Sequence, residues 1–135
     1  MIRVFQTHTH DPENGIVGDC WRACFASILE CDIDDFPSPQ YSDMDETWPE
    51  YYELMVNILR NKGFEYFGLS IENLDEHDLD AEDTDGYVIA IGKSPRGEFN
   101  HAVVWKNGLA HDPHPDNTSI KTIVSFEYLK FNMHT

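Results

Sequence analysis

Gly18-Asp19-Cys20-Trp21-Arg22-Ala23-Cys24-Phe25-Ala26-Ser27-Ile28-Leu29 is the segment from which the rest of the chain can be read. Trp21, Cys24, Phe25, Ile28 and Leu29 recur at i, i+3, i+4, i+7 and i+8, the stripe of a helix buried along one face. Gly15 and Gly18 mark a loop before it, and Asp19 suits the N-cap position. Cys20 then falls in the first turn, beside the stripe rather than within it. Free N–H groups and the positive end of the helix dipole favour an anion there, and a thiolate is such an anion. The Asp19 carboxylate opposes a second negative charge, so the segment calls for a cationic partner. Imidazolium is the natural one.

A second segment supplies it. His101-Ala102-Val103-Val104-Trp105 reads as a strand, Asn107-Gly108 as a two-residue type I′ turn, and Leu109 to Asp112 as the returning strand. That register sets Lys106 against Leu109, Trp105 against Ala110, Val104 against His111 and Val103 against Asp112. Side chains alternate across a strand, so His101, Val103 and Asp112 share a face and His111 points to the other. His101 and Asp112 are diagonal neighbours, roughly 7–8 Å apart and within reach of one another. Cys20, His101 and Asp112 thus make the side-chain set of nucleophilic cysteine catalysis: thiol, imidazole base and orienting carboxylate. Asp112 also suits a cap on the Pro113–Pro115 turn, and the two roles are compatible.

The remaining pattern is α+β, helices first and strands later. Ile2 to Gln6 reads as a short strand and His8 to Gly18 as loop. The nucleophile helix runs from Cys20 to about Glu30, stopped by the segment Asp32 to Pro39. Thr47 with Glu50 forms a capping box for a second helix whose face carries Trp48, Tyr51, Tyr52, Met55 and Leu59, with Gly63 as its stop. Phe64 to Ile71 and Tyr87 to Ile91 read as strands, and Ser94 to Asn100 as the loop delivering His101. Ile120 to Phe131 fits strand alternation and helical spacing equally poorly. Glu72 to Asp85 holds most of an acidic run, read as a solvated face; it lacks the glycine and closing glutamate of an EF-hand.

These motifs together resemble the papain-like cysteine peptidases, the C39-like peptidases among them, and more closely the small papain-like proteins of phages and bacteria. The resemblance rests on Val4-Phe5-Gln6-Thr7, on Gly18 to Ser27, on Ser94-Pro95-Arg96-Gly97 with His101-Ala102-Val103-Val104, and on His111-Asp112-Pro113-His114-Pro115. It implies a compact papain-like α+β fold, an N-terminal nucleophile helix packed on a small antiparallel β-sheet, over a single domain spanning residues 1–135. It implies Cys20 as nucleophile, His101 as general base and then acid, Asp112 as the group orienting the imidazole, and Gln6 as a donor to the oxyanion hole beside the Cys20 backbone N–H. The implied substrate is a peptide, a protein or a small amide, and no cofactor is called for. The chain departs from the family pattern in that a His- and Asp-rich insertion separates Gln6 from Cys20, Asp stands before the Cys, Asp112 replaces the Asn of papain itself, and the chain is shorter than papain, so a full two-lobed protease is not implied. An acyltransferase with the same triad and a catalytically inactive binding or inhibitory module are the alternatives.

Composition bounds the rest. The 135 residues carry 25 acids against 9 bases, a net charge of −16. Such a charge argues against nucleic acid and anionic membranes as partners. No apolar run is long enough to span a bilayer. Met1 to His8 lacks a secretory apolar stretch, and 3 cysteines with no export signal suit reduced thiols in a cytoplasm, a host's if the gene is a phage's. Cys24 and Cys31 read as structural thiols, and Trp21 and Trp105 as core or cleft wall. His8, His10 and Asp11, and again His111, Asp112 and His114, form clusters that suit zinc, but their spacing matches no closed zinc motif. The oligomeric state is not legible.

Overall fold

The computed structural model describes residues 1–39, 48–73 and 84–131. Two α-helices precede a five-stranded sheet: α1 (Cys20–Leu29), α2 (Trp48–Asn61), β1 (Phe64–Ser70), β2 (Val88–Lys93), β3 (Asn100–Trp105), β4 (Leu109–His111) and β5 (Ile123–Phe131). The strands lie in the order β1-β5-β2-β3-β4, and every neighbouring pair is antiparallel. The mixed helix and strand class matches the expectation. No described helix is long and apolar enough to cross a membrane.

The α1 helix is buried more completely than a one-faced stripe predicts, because Arg22 through Ile28 are all inaccessible. Its apolar side, Cys24, Phe25 and Ile28, packs with Ile89, Ala102, Val104 and Leu129 of the sheet and with Tyr51, Met55 and Leu59 of α2. Burying each large side chain is worth about 1.5–3 kcal/mol, which fixes the start of α1 against β3. The opposite side is covered by polar bonding. Ser27 Oγ accepts from the Val4 N–H at 3.0 Å, and the Arg22 Nε donates to the Phe36 carbonyl at 2.9 Å. The helix ends at Glu30, in a left-handed conformation with φ 54°.

The α2 helix buries Tyr51, Met55 and Leu59 as expected, while Tyr52 stays 40% exposed. Gly63 closes it with φ 94° and an N–H to the Arg60 carbonyl. The proposed capping residue Thr47 lies outside the described residues, as does most of the acidic run.

Three expectations need correction. Ile2 to Gln6 is not a strand: its N–H groups bond singly, Ile2 to the Ser27 carbonyl, Val4 to Ser27 Oγ and Gln6 to the Pro113 carbonyl. The segment ties the exposed carbonyl end of α1 to the turn after β4 rather than joining the sheet. The hairpin turn is longer than expected. Trp105 pairs with Leu109, leaving Lys106, Asn107 and Gly108 in the loop, and Lys106 N–H bonds the Gly108 carbonyl. Gly108 has φ 133°, a value open to glycine. Ala110 is then left unpaired as a bulge, which restores the expected pairing of Val104 with His111. Finally, the segment from Ile120 resolves into strand β5 alone.

Candidate active site

Cys20 is the first residue of α1, where its N–H has no partner within the helix. Its Sγ accepts a hydrogen bond from the Ala102 backbone N–H of β3 at 3.4 Å. His101, one residue earlier on the same strand, is 3% exposed and lines the same cavity as Cys20, whose side chain acts on its ionisation. Its Nε2 lies 2.7 Å from Asp112 Oδ1, which leaves the other ring nitrogen for sulfur. Cys20, His101 and Asp112 therefore meet, although 82 residues separate Cys20 from Ala102 in the chain.

Asp112 follows directly after β4. Its Oδ1 also accepts the His114 N–H at 2.9 Å, and Oδ2 accepts the Ser119 N–H at 2.8 Å. Capping of the turn and orientation of the imidazole thus coexist in one carboxylate. Burial raises the Asp112 pKa, but the bonds from His101, His114 and Ser119 outweigh it and hold the group down at about 2. Burial likewise works against a charged His101. The bonds to Asp112 and Cys20, with the charges of both, overcome it and raise the imidazole to about 9. An imidazolium is thereby the favoured form at neutral pH.

His111 is buried elsewhere. One ring nitrogen is 2.8 Å from the Val4 carbonyl, and the ring meets Phe5 edge to face at 5.0 Å. Of the two histidines, His101 is the one beside Asp112. Burial pushes the Cys24 thiol well up and the Cys31 thiol up, and both thiols are unbridged, in keeping with structural roles.

Asp19 behaves differently from the expected cap. Its carboxylate makes no capping bond to the helix. It is buried and turned back onto the N-terminal segment, accepting the Thr7 N–H at 2.8 Å, the Thr7 hydroxyl at 2.6 Å and the His8 N–H at 2.9 Å. Arg22 pairs with it at 3.2 Å. Its charge is spent on these partners, which removes the conflict with a neighbouring thiolate. The same bonds hold Gln6 close to the helix start. A cavity of about 250 Å³ is lined by Gln6, Gly18, Cys20, Arg96, Asn100 and His101, among others. One N–H of Gln6 Nε2 is bonded to the His8 carbonyl, while Oε1 is buried with no hydrogen-bond partner among the described residues.

The zinc clusters dissolve. His10 Nδ1 accepts the Gly18 N–H, Asp11 accepts from Asn14, and His114 Nδ1 accepts the Asp116 N–H. Among the described residues no three His, Cys, Asp or Glu side chains gather in a way that could hold a metal ion.

Sequence reasoning missed Glu127. This residue of β5 is 8% exposed and lies toward α1. Trp21 Nε1 donates to its Oε1 at 2.7 Å and the Tyr66 hydroxyl donates to its Oε2. Burial raises its pKa, the two donors only partly offset this, and the result is about 7. A lone acid between Phe126 and Tyr128 was the available signal. Ala102 was missed too, because its part is played by backbone. No protein-family model, curated protein or solved structure matches the chain.

Proposed function

We propose that this chain is a papain-like cysteine hydrolase, a peptidase or amidase acting through an acyl-enzyme on Cys20. The observation that carries the reading is the placing of Cys20, at a helix start, against β3 at Ala102, beside His101, which is itself bonded at 2.7 Å to Asp112. The thiolate attacks an amide carbonyl and an S–C bond forms. The negative oxygen of the tetrahedral intermediate rests at the N-terminus of α1, near the Cys20 N–H, with Gln6 as a side-chain donor. As the C–N bond breaks, the leaving amine takes a proton from the His101 imidazolium. His101 then removes a proton from water, which attacks the thioester and releases the acid. Asp112 holds the ring in the required tautomer throughout and stays ionised.

The test is the rate of Cys20 alkylation by iodoacetamide at pH 6, followed by mass spectrometry at each cysteine. Cys20 is expected to react faster than a thiol in an unstructured peptide, and His101→Ala is expected to abolish the excess. A Cys20 no more reactive than the peptide thiol would overturn the hydrolase reading and leave a binding module. Hydrolysis is favoured over acyl transfer by the resemblance to peptidases; trapping of an added amine in place of water would reverse that choice.

A further inference from the structure

A second cavity, of about 460 Å³, opens beside the thiol and shares Cys20 and His101 with the first. Its walls include Trp21, Tyr52, Tyr66 and Phe99, and Glu127 also lines it. Trp21 and Tyr52 lie nearly parallel, 7° apart in plane with centroids 6.0 Å apart. Tyr66 stands across both, at 84° to Trp21 and 82° to Tyr52. Trp21 and Tyr52 thus stack into one aromatic wall, and Tyr66 stands against it. Glu127 is bonded to two of them through the Trp21 indole and the Tyr66 hydroxyl. Each oxygen of a carboxylate has two acceptor positions, so two bonds leave room for a further donor.

A carboxylate at this position is not demanded by packing. Its register partner on β2 is Ile89, and the next inward residue of β5 is Leu129, both fully apolar and in the core. Glutamine could serve the same two rings, accepting from the Trp21 indole and donating to the Tyr66 hydroxyl, without the cost of desolvating a charge. Aromatic faces attract cations through their quadrupoles, Trp most strongly, and a buried acid adds a directed charge. The net charge of −16 also raises the local concentration of cations.

We propose that this aromatic and acidic cavity is the subsite for a basic side chain of a peptide substrate, an ammonium or guanidinium group, next to the bond cleaved at Cys20. The inference rests on the hydrolase reading for its place in catalysis, though the cavity's affinity for cations does not. The alkyl chain lies along the aromatic wall made by the stacked Trp21 and Tyr52 with Tyr66, and Glu127 receives its N–H.

The test uses acyloxymethyl ketones that alkylate a reactive cysteine. They carry lysine, norleucine or glutamate either beside the ketone or one residue further on. The full-length protein is expected to lose Cys20 about tenfold faster to the lysyl than to the norleucyl reagent in one of the two series. Glu127→Gln and, separately, Tyr52→Leu should bring that ratio down toward one; Tyr52 is partly exposed, so its replacement spares the core. Equal rates with lysyl and norleucyl reagents in both series, or a norleucyl preference, would overturn the proposal. If no reagent outpaces its reaction with glutathione, the hydrolase reading fails instead. The subsite is then judged by binding alone: N-acetyl-lysine amide, and not N-acetyl-norleucine amide, should move the Trp21 indole resonance in wild type and not in Glu127→Gln. Absence of that difference would end the proposal independently of catalysis.

Discussion

Replacing Asp112 by Asn separates the two duties of this carboxylate. Asp112 serves three donors: His101 Nε2 and the His114 N–H at Oδ1, and the Ser119 N–H at Oδ2. An amide has one oxygen. Turned to serve His101 and His114, it sets its NH2 against the Ser119 N–H, at a cost of about 1–3 kcal/mol. The larger effect is on charge. His101 loses the partner that opposes its burial, so its pKa of about 9 should fall by about 1–3 pH units. The sign of the linkage follows. His101 is raised above its ordinary 6.5, so its contribution to stability is full below that value and is lost as pH rises through about 9. Asp112 is depressed from 3.8, so its contribution is present above that value and is lost as pH falls through about 2. Asp112→Asn removes the Asp112 contribution and the Asp112 share of the His101 contribution. The stability gap between wild type and variant should be widest from roughly pH 4 to 6.5 and narrow toward pH 9, where the bonds of Asp112 to the His114 and Ser119 N–H groups still count. Imidazole NMR titration of His101, with urea unfolding at pH 5.5 and 9.5, measures both. Cys20 alkylation at pH 6 should fall with the imidazole pKa. An unmoved His101 titration, with stability lost equally at both pH values, would refute the reasoning and leave Asp112 as a turn residue only.

Asp19→Asn should cost about 3 kcal/mol by stranding the buried Arg22, and amide exchange at Thr7 and His8 should accelerate. Unchanged exchange would mean that the clamp does not hold the segment. His111→Ala should cost about 1 kcal/mol by removing the nearer of two donors to the Val4 carbonyl, the Ser27 hydroxyl being the other, and Cys20 alkylation should hold; a loss equal to that of His101→Ala would transfer the base role to His111. Gly92→Ala should destabilise by about 1–3 kcal/mol, since its Cβ would lie 2.2 Å from the Thr122 carbonyl oxygen opposite the strand that carries His101. A variant as stable as wild type in urea would show that the irregular pairing of β2 with β5 at Gly92 can open. Glu127 is raised from 4.5 to about 7, so its contribution is full below 4.5 and is lost as pH rises through 7. Glu127→Gln should therefore gain on wild type by about 3 kcal/mol between those values, and parallel stability profiles would exclude the buried acid.

The α1 helix was legible because its start carries glycines and an acid and its length carries an apolar period. The His101 and Asp112 pair was legible because strand alternation and one turn fix which side chains share a face. That success owes something to compensation: the turn is one residue longer than Asn107-Gly108 implied, and the bulge at Ala110 takes the extra residue back. Had β4 lacked that bulge, Val104 would not face His111. Strand β5 was illegible for a physical reason. It lies between β1 and β2 and is covered on both faces, so Phe126 and Tyr128 pack on one side while Leu129 packs on the other. Glu127 then breaks what alternation remained. The N-terminal segment looked like a strand because Ile2, Val4 and the residues between them alternate. Its bonds go instead to single acceptors on α1 and near Asp112, and no local pattern encodes such bonds.

Two of the departures from the papain pattern, the acid before the nucleophile and the long insertion after Gln6, explain one another. An insertion of this length would let Gln6 wander if its ends were free. They are not: the Asp19 N–H bonds the His8 carbonyl, Gly18 N–H bonds His10, and Asp11 pairs with Ile16 across the loop. The excursion therefore closes on itself and returns the chain to where it left. What locks the closure is a carboxylate at position 19, because only a side chain with several acceptor positions can take Thr7 N–H, Thr7 hydroxyl, His8 N–H and Arg22 together. A serine or asparagine there could not bind Arg22 as an ion pair. Arg22 in turn needs a buried anion, for its other partners are a carbonyl and the exposed Asp34. The acid that looked hostile to a thiolate is thus the residue that keeps Gln6 and Cys20 on one cavity, and Arg22 is what keeps its charge from the sulfur.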